Sequence, residues 1–202
     1  MGQRLVVGLG NPGPEYDSTW HNLGFQAVRA LAKLLRTSVK SSRDALIGRG
    51  RRSGHDVFLM LPQSYMNLSG RPVSRFAREH RIDTDEILII LDDHDLPRGQ
   101  MRMRMDGGDG GHRGLRSVLQ ELGTQAVPRL RIGIRDEGAD PEVGGYQDLA
   151  DRVLEPLSAS EKEHFITMSE GAAKFALDWI TLGTVTAMNR HNGRRISPPG
   201  TR

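Results

Sequence analysis

The sequence contains no cysteine, which excludes disulfides, thiolate metal sites and cysteine nucleophiles. Aromatic residues make up only 5% of the 202 residues, and only four of the 28 basic residues are lysines. Apolar runs such as residues 87–91 have the length of a strand, whereas a membrane span needs about 18 apolar residues. The N-terminus has neither a secretory signal nor a presequence. We therefore expect a cytoplasmic protein that does not contact a membrane.

The basic residues are unevenly distributed, although the net charge is only +3. Residues 98–135 contain eight arginines and three acidic residues. The planar guanidinium suits phosphate, so this cluster favours a polyanionic partner, with a solvated surface as the alternative. The high ratio of arginine to lysine is explained equally well by a compositional bias of the source genome.

The hydrophobic pattern predicts strands that alternate with helices. The predicted strands cover residues 4–10, 45–50, 57–61, 87–91, 100–105 and 130–134, and the predicted helices cover residues 24–35, 72–80, a segment that ends at 122, and 158–182. This alternation predicts the α/β class: a single domain with a mixed, mostly parallel twisted sheet and helices on both faces. We place the domain at residues 1–190 and a basic, disordered tail at residues 191–202.

Residues 8–13 match the G-x-G-x-x-G spacing of dinucleotide-binding proteins, and they follow a predicted strand. The context does not fit, because the polar residues 14–22 separate the third glycine from the next helix. No acidic residue ends a second strand about 20 residues further on. An NAD(P)-dependent oxidoreductase is therefore a minor alternative.

Four polar residues, Asp92, Asp93, His94 and Asp95, follow the apolar run 87–91. Carboxylates and an imidazole suit a divalent metal ion. If the strand continues, however, Asp92 and His94 point to one face and Asp93 and Asp95 to the other. This alternation argues against a single metal site and favours one functional acid, with the others exposed or capping.

Polar residues also follow the predicted parallel strands at one edge of the sheet. Asn11 ends the first strand and His21 lies in the loop after it, while Asn67 follows the strand at 57–61 and Asp92 follows 87–91. Open α/β sheets bind ligands at this edge. Imidazole can act as a general base, a carboxylate can orient it, and carboxamides can stabilise an oxyanion. The arrangement predicts hydrolysis by an activated water molecule.

Several motifs are spread along nearly the whole chain: residues 7–13, Tyr16, 21–24, 66–70, Asp92 with 95–97, 110–112, 129–134 and 189–190. Together they resemble the bacterial peptidyl-tRNA hydrolase family. The resemblance implies a monomeric enzyme whose partner is tRNA carrying a peptidyl group. It implies hydrolysis of the ester between the peptide carboxyl group and the tRNA 3′ ribose, with no metal and no other cofactor.

The resemblance also implies roles for individual residues. His21 would be the base that activates water, Asp92 would hold it in the basic form, and Asn11 would help to distinguish N-blocked peptidyl-tRNA from free aminoacyl-tRNA. The implied substrate-binding residues are Tyr16, Tyr65, Asn67 and Arg113, and the implied contacts to the tRNA phosphates are Arg102, Arg104, Arg129 and Arg131.

Two positions depart from the family pattern. Arg113 stands where the family usually has asparagine, and we hypothesise that it donates hydrogen bonds in the site and repels the free ammonium of aminoacyl-tRNA. Trp20 precedes His21 where the family often has arginine, and we interpret it as a packing residue. A non-catalytic RNA-binding module on the same fold stays open as an alternative. The retained histidine, carboxylate and carboxamides favour the enzyme.

Overall fold

The computed structural model describes residues 2–136 and 153–196. The strands are β1 (Gln3–Gly8), β2 (Lys40–Ser42), β3 (Ala45–Arg52), β4 (His55–Pro62), β5 (Ile87–Pro97), β6 (Met101–Arg104) and β7 (Arg129–Arg135). The helices are α1 (Leu23–Leu34), α2 (Gly70–His80), α3 (Arg113–Leu122), α4 (Ala159–Leu182) and α5 (Thr184–His191). No helix within these described residues is both long and apolar enough to cross a membrane.

The strands form one mixed sheet in the order β2-β3-β4-β1-β5-β7-β6. The three central pairs, β4-β1, β1-β5 and β5-β7, are parallel. The pairs toward the two edges, β2-β3, β3-β4 and β7-β6, are antiparallel. The predicted α/β class with a single mixed sheet is confirmed, and the parallel pairs lie in its centre. The sheet is not mostly parallel as predicted, because three of the six strand pairs are antiparallel.

Helices cover both faces of the sheet, because the central strands are apolar on both sides. Val6 of β1 faces the core that α1 and α4 complete, which includes Phe25 and Trp179. Leu5 and Val7 face the second core, which α2 and α3 complete. The sheet is therefore the middle of three layers.

Two glycines let α1 pack directly against the sheet. A Cβ atom on Gly8 would collide with the backbone carbonyl of Gly24, and one on Gly24 would collide with the carbonyl of Ile90. A 3₁₀ turn at Pro14–Tyr16, rather than a helix, follows the G-x-G-x-x-G segment. The close approach at Gly8 and Gly24 brings the start of α1 near the ends of β1 and β5.

The boundary of the predicted tail needs correction. His191 is the last residue of α5, and residues 192–196 run along the outer edge of β6. The Asn192 side chain accepts from the Met103 N–H at 2.8 Å and donates to the Met103 carbonyl at 3.1 Å. These bonds order the start of the tail because they satisfy backbone groups of an edge strand. Residues 197–202 lie outside the described residues.

Candidate active site

A cavity of about 430 Å³ opens at the carboxyl ends of β1, β4 and β5. Two short 3₁₀ turns form part of its walls: Trp20–Asn22 lies in the connection after β1, and Met66–Leu68 lies in the connection after β4. The structure brings together every residue predicted for catalysis or substrate binding, since the cavity is lined by Asn11, Tyr16, His21, Tyr65, Asn67, Asp92 and Arg113.

His21 and Asp92 form the polar centre of this cavity. His21 Nδ1 lies 3.1 Å from both carboxylate oxygens of Asp92, whose side chain is 5% exposed. A carboxylate only accepts, so in the neutral ring the proton sits on Nδ1 and the lone pair on Nε2. Burial alone would lower the pKa of His21, but the charge and hydrogen bond of Asp92 raise it, against a smaller opposing effect of Arg113. The ring is therefore arranged as a base.

A second imidazole, His112, shares the same carboxylate. Its Nε2 lies 3.1 Å from Asp92 Oδ1, and its Nδ1 accepts from the Leu115 N–H at 3.2 Å. This pair of contacts places the proton on Nε2, so Asp92 accepts from two rings. Burial alone would raise the pKa of Asp92, but the charge of His21 and the bonds from both imidazoles hold it well below its usual range. Asp92 stays ionised.

Sequence reasoning gave His112 no role, although it lies in one of the family motifs. Its backbone ends the glycine-rich loop, and its side chain caps the N-terminus of α3. Histidine is not one of the usual N-cap residues, so the sequence carried no capping signal at this position. The contact with Asp92 depends in addition on where α3 meets β5.

Asn11 is held by a reciprocal pair of hydrogen bonds. The Asn11 N–H donates to Asn22 Oδ1 at 2.7 Å, and Asn22 Nδ2 donates to the Asn11 carbonyl at 3.0 Å. Asn11 Oδ1 accepts from the Met66 N–H at 2.9 Å. Since that oxygen is engaged, the side-chain nitrogen is the group that Asn11 can offer to a substrate. Asn22 is a supporting residue that sequence reasoning missed.

The acidic run after residue 91 remains part of β5, and its side chains alternate as expected. Asp92 and His94 line the cavity. On the other side, Asp93 forms an ion pair with Arg131, and Asp95 lies 3.3 Å from the same guanidinium. The carboxylates therefore do not converge on one metal ion.

His21, Asp92 and His112 do supply metal-ligand atoms that lie within 4.8 Å of one another. Each imidazole instead places an N–H at hydrogen-bond distance from the carboxylate. A metal ion binds the lone pair of an unprotonated imidazole nitrogen, whereas here the nitrogens that face Asp92 carry protons. The arrangement therefore suits proton transfer.

The family model for peptidyl-tRNA hydrolase matches residues 5–199. The chain belongs to this family. The peptidyl-tRNA hydrolase of Moorella thermoacetica is 44% identical over 190 residues, which cover 93% of this chain and 97% of the relative. That of Geobacter metallireducens is 37% identical over 98% of this chain and 99% of its own. The crystal structure of the Acinetobacter baumannii peptidyl-tRNA hydrolase is similar with a TM-score of 0.81, at 37% identity and 95% coverage of each chain.

The arginines predicted to bind phosphate in this peptidyl-tRNA hydrolase family member differ in exposure. Arg102 and Arg104 alternate along β6 with the buried Met101 and Met103. Neither arginine forms an ion pair within the part of the chain that the structure describes. Arg131 is 24% exposed and holds Asp93 and Asp95.

Arg129 does not fit its predicted role. It is 2% exposed, and its guanidinium donates to the backbone carbonyls of Gly107, Gly108, Gln125 and Val127. Its hydrogen-bonding groups are directed to the protein, which argues against a phosphate contact. Arg129 instead holds the glycine-rich loop before α3 in place.

Proposed function

We propose that this chain hydrolyses the ester between a peptide and the 3′ ribose of tRNA, and so releases free peptide and tRNA. The observation that carries the proposal is the bond between His21 and Asp92 at the edge of an open cavity, in a member of the peptidyl-tRNA hydrolase family. A non-catalytic RNA-binding module has no need of a buried carboxylate that raises the pKa of a histidine.

The proposed reaction begins when His21 Nε2 takes a proton from water and the water oxygen attacks the ester carbonyl carbon. Asp92 stabilises the imidazolium that forms. The side-chain nitrogen of Asn11 and the guanidinium of Arg113 donate to the oxyanion. The bond to the ribose oxygen then breaks, and the proton on His21 passes to that oxygen.

Tyr16, Tyr65 and Asn67 are proposed to bind the substrate along the cavity. Tyr65 is 66% exposed, so its ring is available for stacking on a base or packing against a peptide side chain. The described residues of one chain place His21, Asp92 and Asn11 around one cavity, and we propose that the chain acts as a monomer. We also propose a cytoplasmic location, in keeping with a substrate that arises during translation.

The proposal is tested with N-acetyl-aminoacyl-tRNA and the unacetylated form as substrates. Protein dialysed against a chelator of transition metals is assayed in a magnesium buffer, which keeps the tRNA folded. We expect rapid release of the N-acetyl-amino acid and little release from the unacetylated form. A protein that cleaves neither substrate would contradict the proposal. A thermal shift with NAD(P) would support the oxidoreductase alternative.

Arg113 is the residue we propose for repelling the free ammonium of aminoacyl-tRNA. It lies in the first turn of α3, where the helix dipole disfavours a cation, so helix stability does not explain it. Replacing Arg113 with asparagine should lower the preference for the N-acetylated substrate about fivefold, as expected for the loss of about 1 kcal/mol of charge repulsion. The comparison is made from kcat/KM for both substrates.

Arg113→Lys is the matched control, because it keeps the charge and should keep most of the preference. Arg113→Asn should also move the acid limb of the pH profile upward, since Arg113 lowers the pKa of His21. Equal preference in wild type and Arg113→Asn would rule out the role.

We propose that Arg102 and Arg104 contact phosphates of the tRNA acceptor stem, with Arg131 beside them. Phosphate contacts position a nucleic acid and contribute a salt-dependent affinity. Arg102→Ala and Arg104→Ala should each raise KM several-fold, reduce the slope of log KM against log salt by about 1, and leave kcat nearly unchanged. Arg52→Ala, an exposed arginine at the end of β3, is the control. An unchanged KM and salt slope would show that β6 is only a solvated surface.

A further inference from the structure

We propose that Trp20 is a positioning residue for the general base, and that it works through a fixed cluster with Arg98 and Glu161. The inference rests on the proposed function, since it assigns to Trp20 the task of holding His21 against Asp92. It replaces the interpretation of Trp20 as a packing residue alone.

The indole of Trp20 makes three kinds of contact at once. Its Nε1–H donates to Glu161 Oε1 at 3.3 Å, and the Arg98 guanidinium lies 4.8 Å from the ring centroid. The Phe165 ring packs edge-on, with centroids 5.9 Å apart. Packing alone would be served by any large apolar side chain, whereas this site uses both the indole N–H and the negative face of the ring.

The acceptor of the indole bond is itself fixed. Glu161 Oε2 accepts from the Ser158 N–H at 2.9 Å, and the Ser158 hydroxyl accepts from the Glu161 N–H at 3.3 Å, which together form a capping box at the start of α4. Glu161 Oε1 is left for Trp20 and for Arg98, which lies 3.4 Å away. Trp20 is therefore tied to a carboxylate that the start of α4 holds rigidly.

The backbone around Trp20 is tied to the same segment. The His21 N–H donates to the Val153 carbonyl at 3.0 Å, and the Leu157 N–H donates to the Ser18 carbonyl at 2.9 Å. These bonds join the loop that carries His21 to the residues that lead into α4. Asp92, by contrast, is set by β5. The position of the base relative to its carboxylate thus depends on how firmly this loop is held to α4.

A small displacement of the His21 ring has a large effect, because catalytic groups must be held within about 0.5 Å of their productive positions. Loss of the indole bond loosens the loop and lengthens the contact between His21 and Asp92. The carboxylate then stabilises the charged imidazole less well, and the pKa of His21 falls back toward the ordinary value of about 6.5.

The test compares Trp20→Phe with Trp179→Phe, in both cases well below the midpoint of thermal unfolding. Trp179 is a matched control: it is 1% exposed, its Nε1–H donates to Thr184 Oγ1 at 2.9 Å, and Arg4 lies 4.9 Å from its ring centroid. Trp20→Phe should lower kcat for N-acetyl-aminoacyl-tRNA about tenfold and move the acid limb of the pH profile downward, with KM unchanged. Trp179→Phe should change only the thermal midpoint.

Arg98→Gln is the second variant, used if Trp20→Phe does not fold. It removes the cation above the Trp20 ring, so it should also lower kcat and move the acid limb downward. Wild-type kcat and an unchanged acid limb in a folded Trp20 variant would overturn the inference and leave the hydrolase intact. Absence of hydrolysis by the wild-type protein would instead overturn the proposed function.

Discussion

Replacing His21 with alanine should lower kcat for N-acetyl-aminoacyl-tRNA by about 10² to 10⁴, the contribution that a positioned general base makes. KM should change little, because the ring acts on water rather than on the tRNA or the peptide. The measurement is steady-state hydrolysis near neutral pH, with the reaction products separated from intact substrate.

His164→Ala is the matched histidine control, since His164 lies on α4 and hydrogen-bonds the Ser160 carbonyl. It should retain wild-type kcat. A His21→Ala enzyme that keeps more than a tenth of the wild-type kcat would show that another group activates the water.

Replacing Asp92 with asparagine should have the second-largest effect, a fall of about 10² in kcat accompanied by a change in pH dependence. In the wild type the acid limb should lie above pH 6.5, because the pKa of His21 is raised and the protonated ring cannot act as a base. Without the carboxylate, burial and Arg113 remain, and both lower the pKa of His21. The acid limb should therefore move below pH 6.5 even as kcat falls.

Asp95→Asn provides the comparison on the same strand, because Asp95 is on the side of β5 that holds Arg131. It should leave the acid limb where the wild type has it. An Asp92→Asn profile that coincides with the wild-type profile would mean that Asp92 does not set the protonation of His21.

The placement of Asn11, His21 and Asp92 could be predicted from the sequence because these residues come after apolar runs, either directly or in the next loop. Asn11, His21 and Asp92 come after runs whose hydrophobicity identifies β1 and β5, and parallel strands bring such residues to one edge. The capping box of α4 is also readable from the sequence, because its two residues, Ser158 and Glu161, are only three positions apart.

Other features could not be predicted because they depend on contacts between distant residues. β5 continues through a polar run, since the imidazoles satisfy Asp92 on one side and Arg131 satisfies Asp93 on the other. Strand β2 is three exposed polar residues with no hydrophobic signal. The burial of Arg129 follows from the path of the loop at 107–108, which carries no pattern of its own.

The carboxamide of Asn192 has a consequence for how the molecule behaves in concentrated solution. Met103 would otherwise present a free donor and acceptor on an open edge, which is a template for strand addition by another copy. The Asn192 side chain pairs with both of these backbone groups and leaves the side chains of Arg102 and Arg104 accessible. We therefore expect residues 192–196 to disfavour strand addition by another copy at β6, the strand that is proposed to carry the nucleic acid contacts.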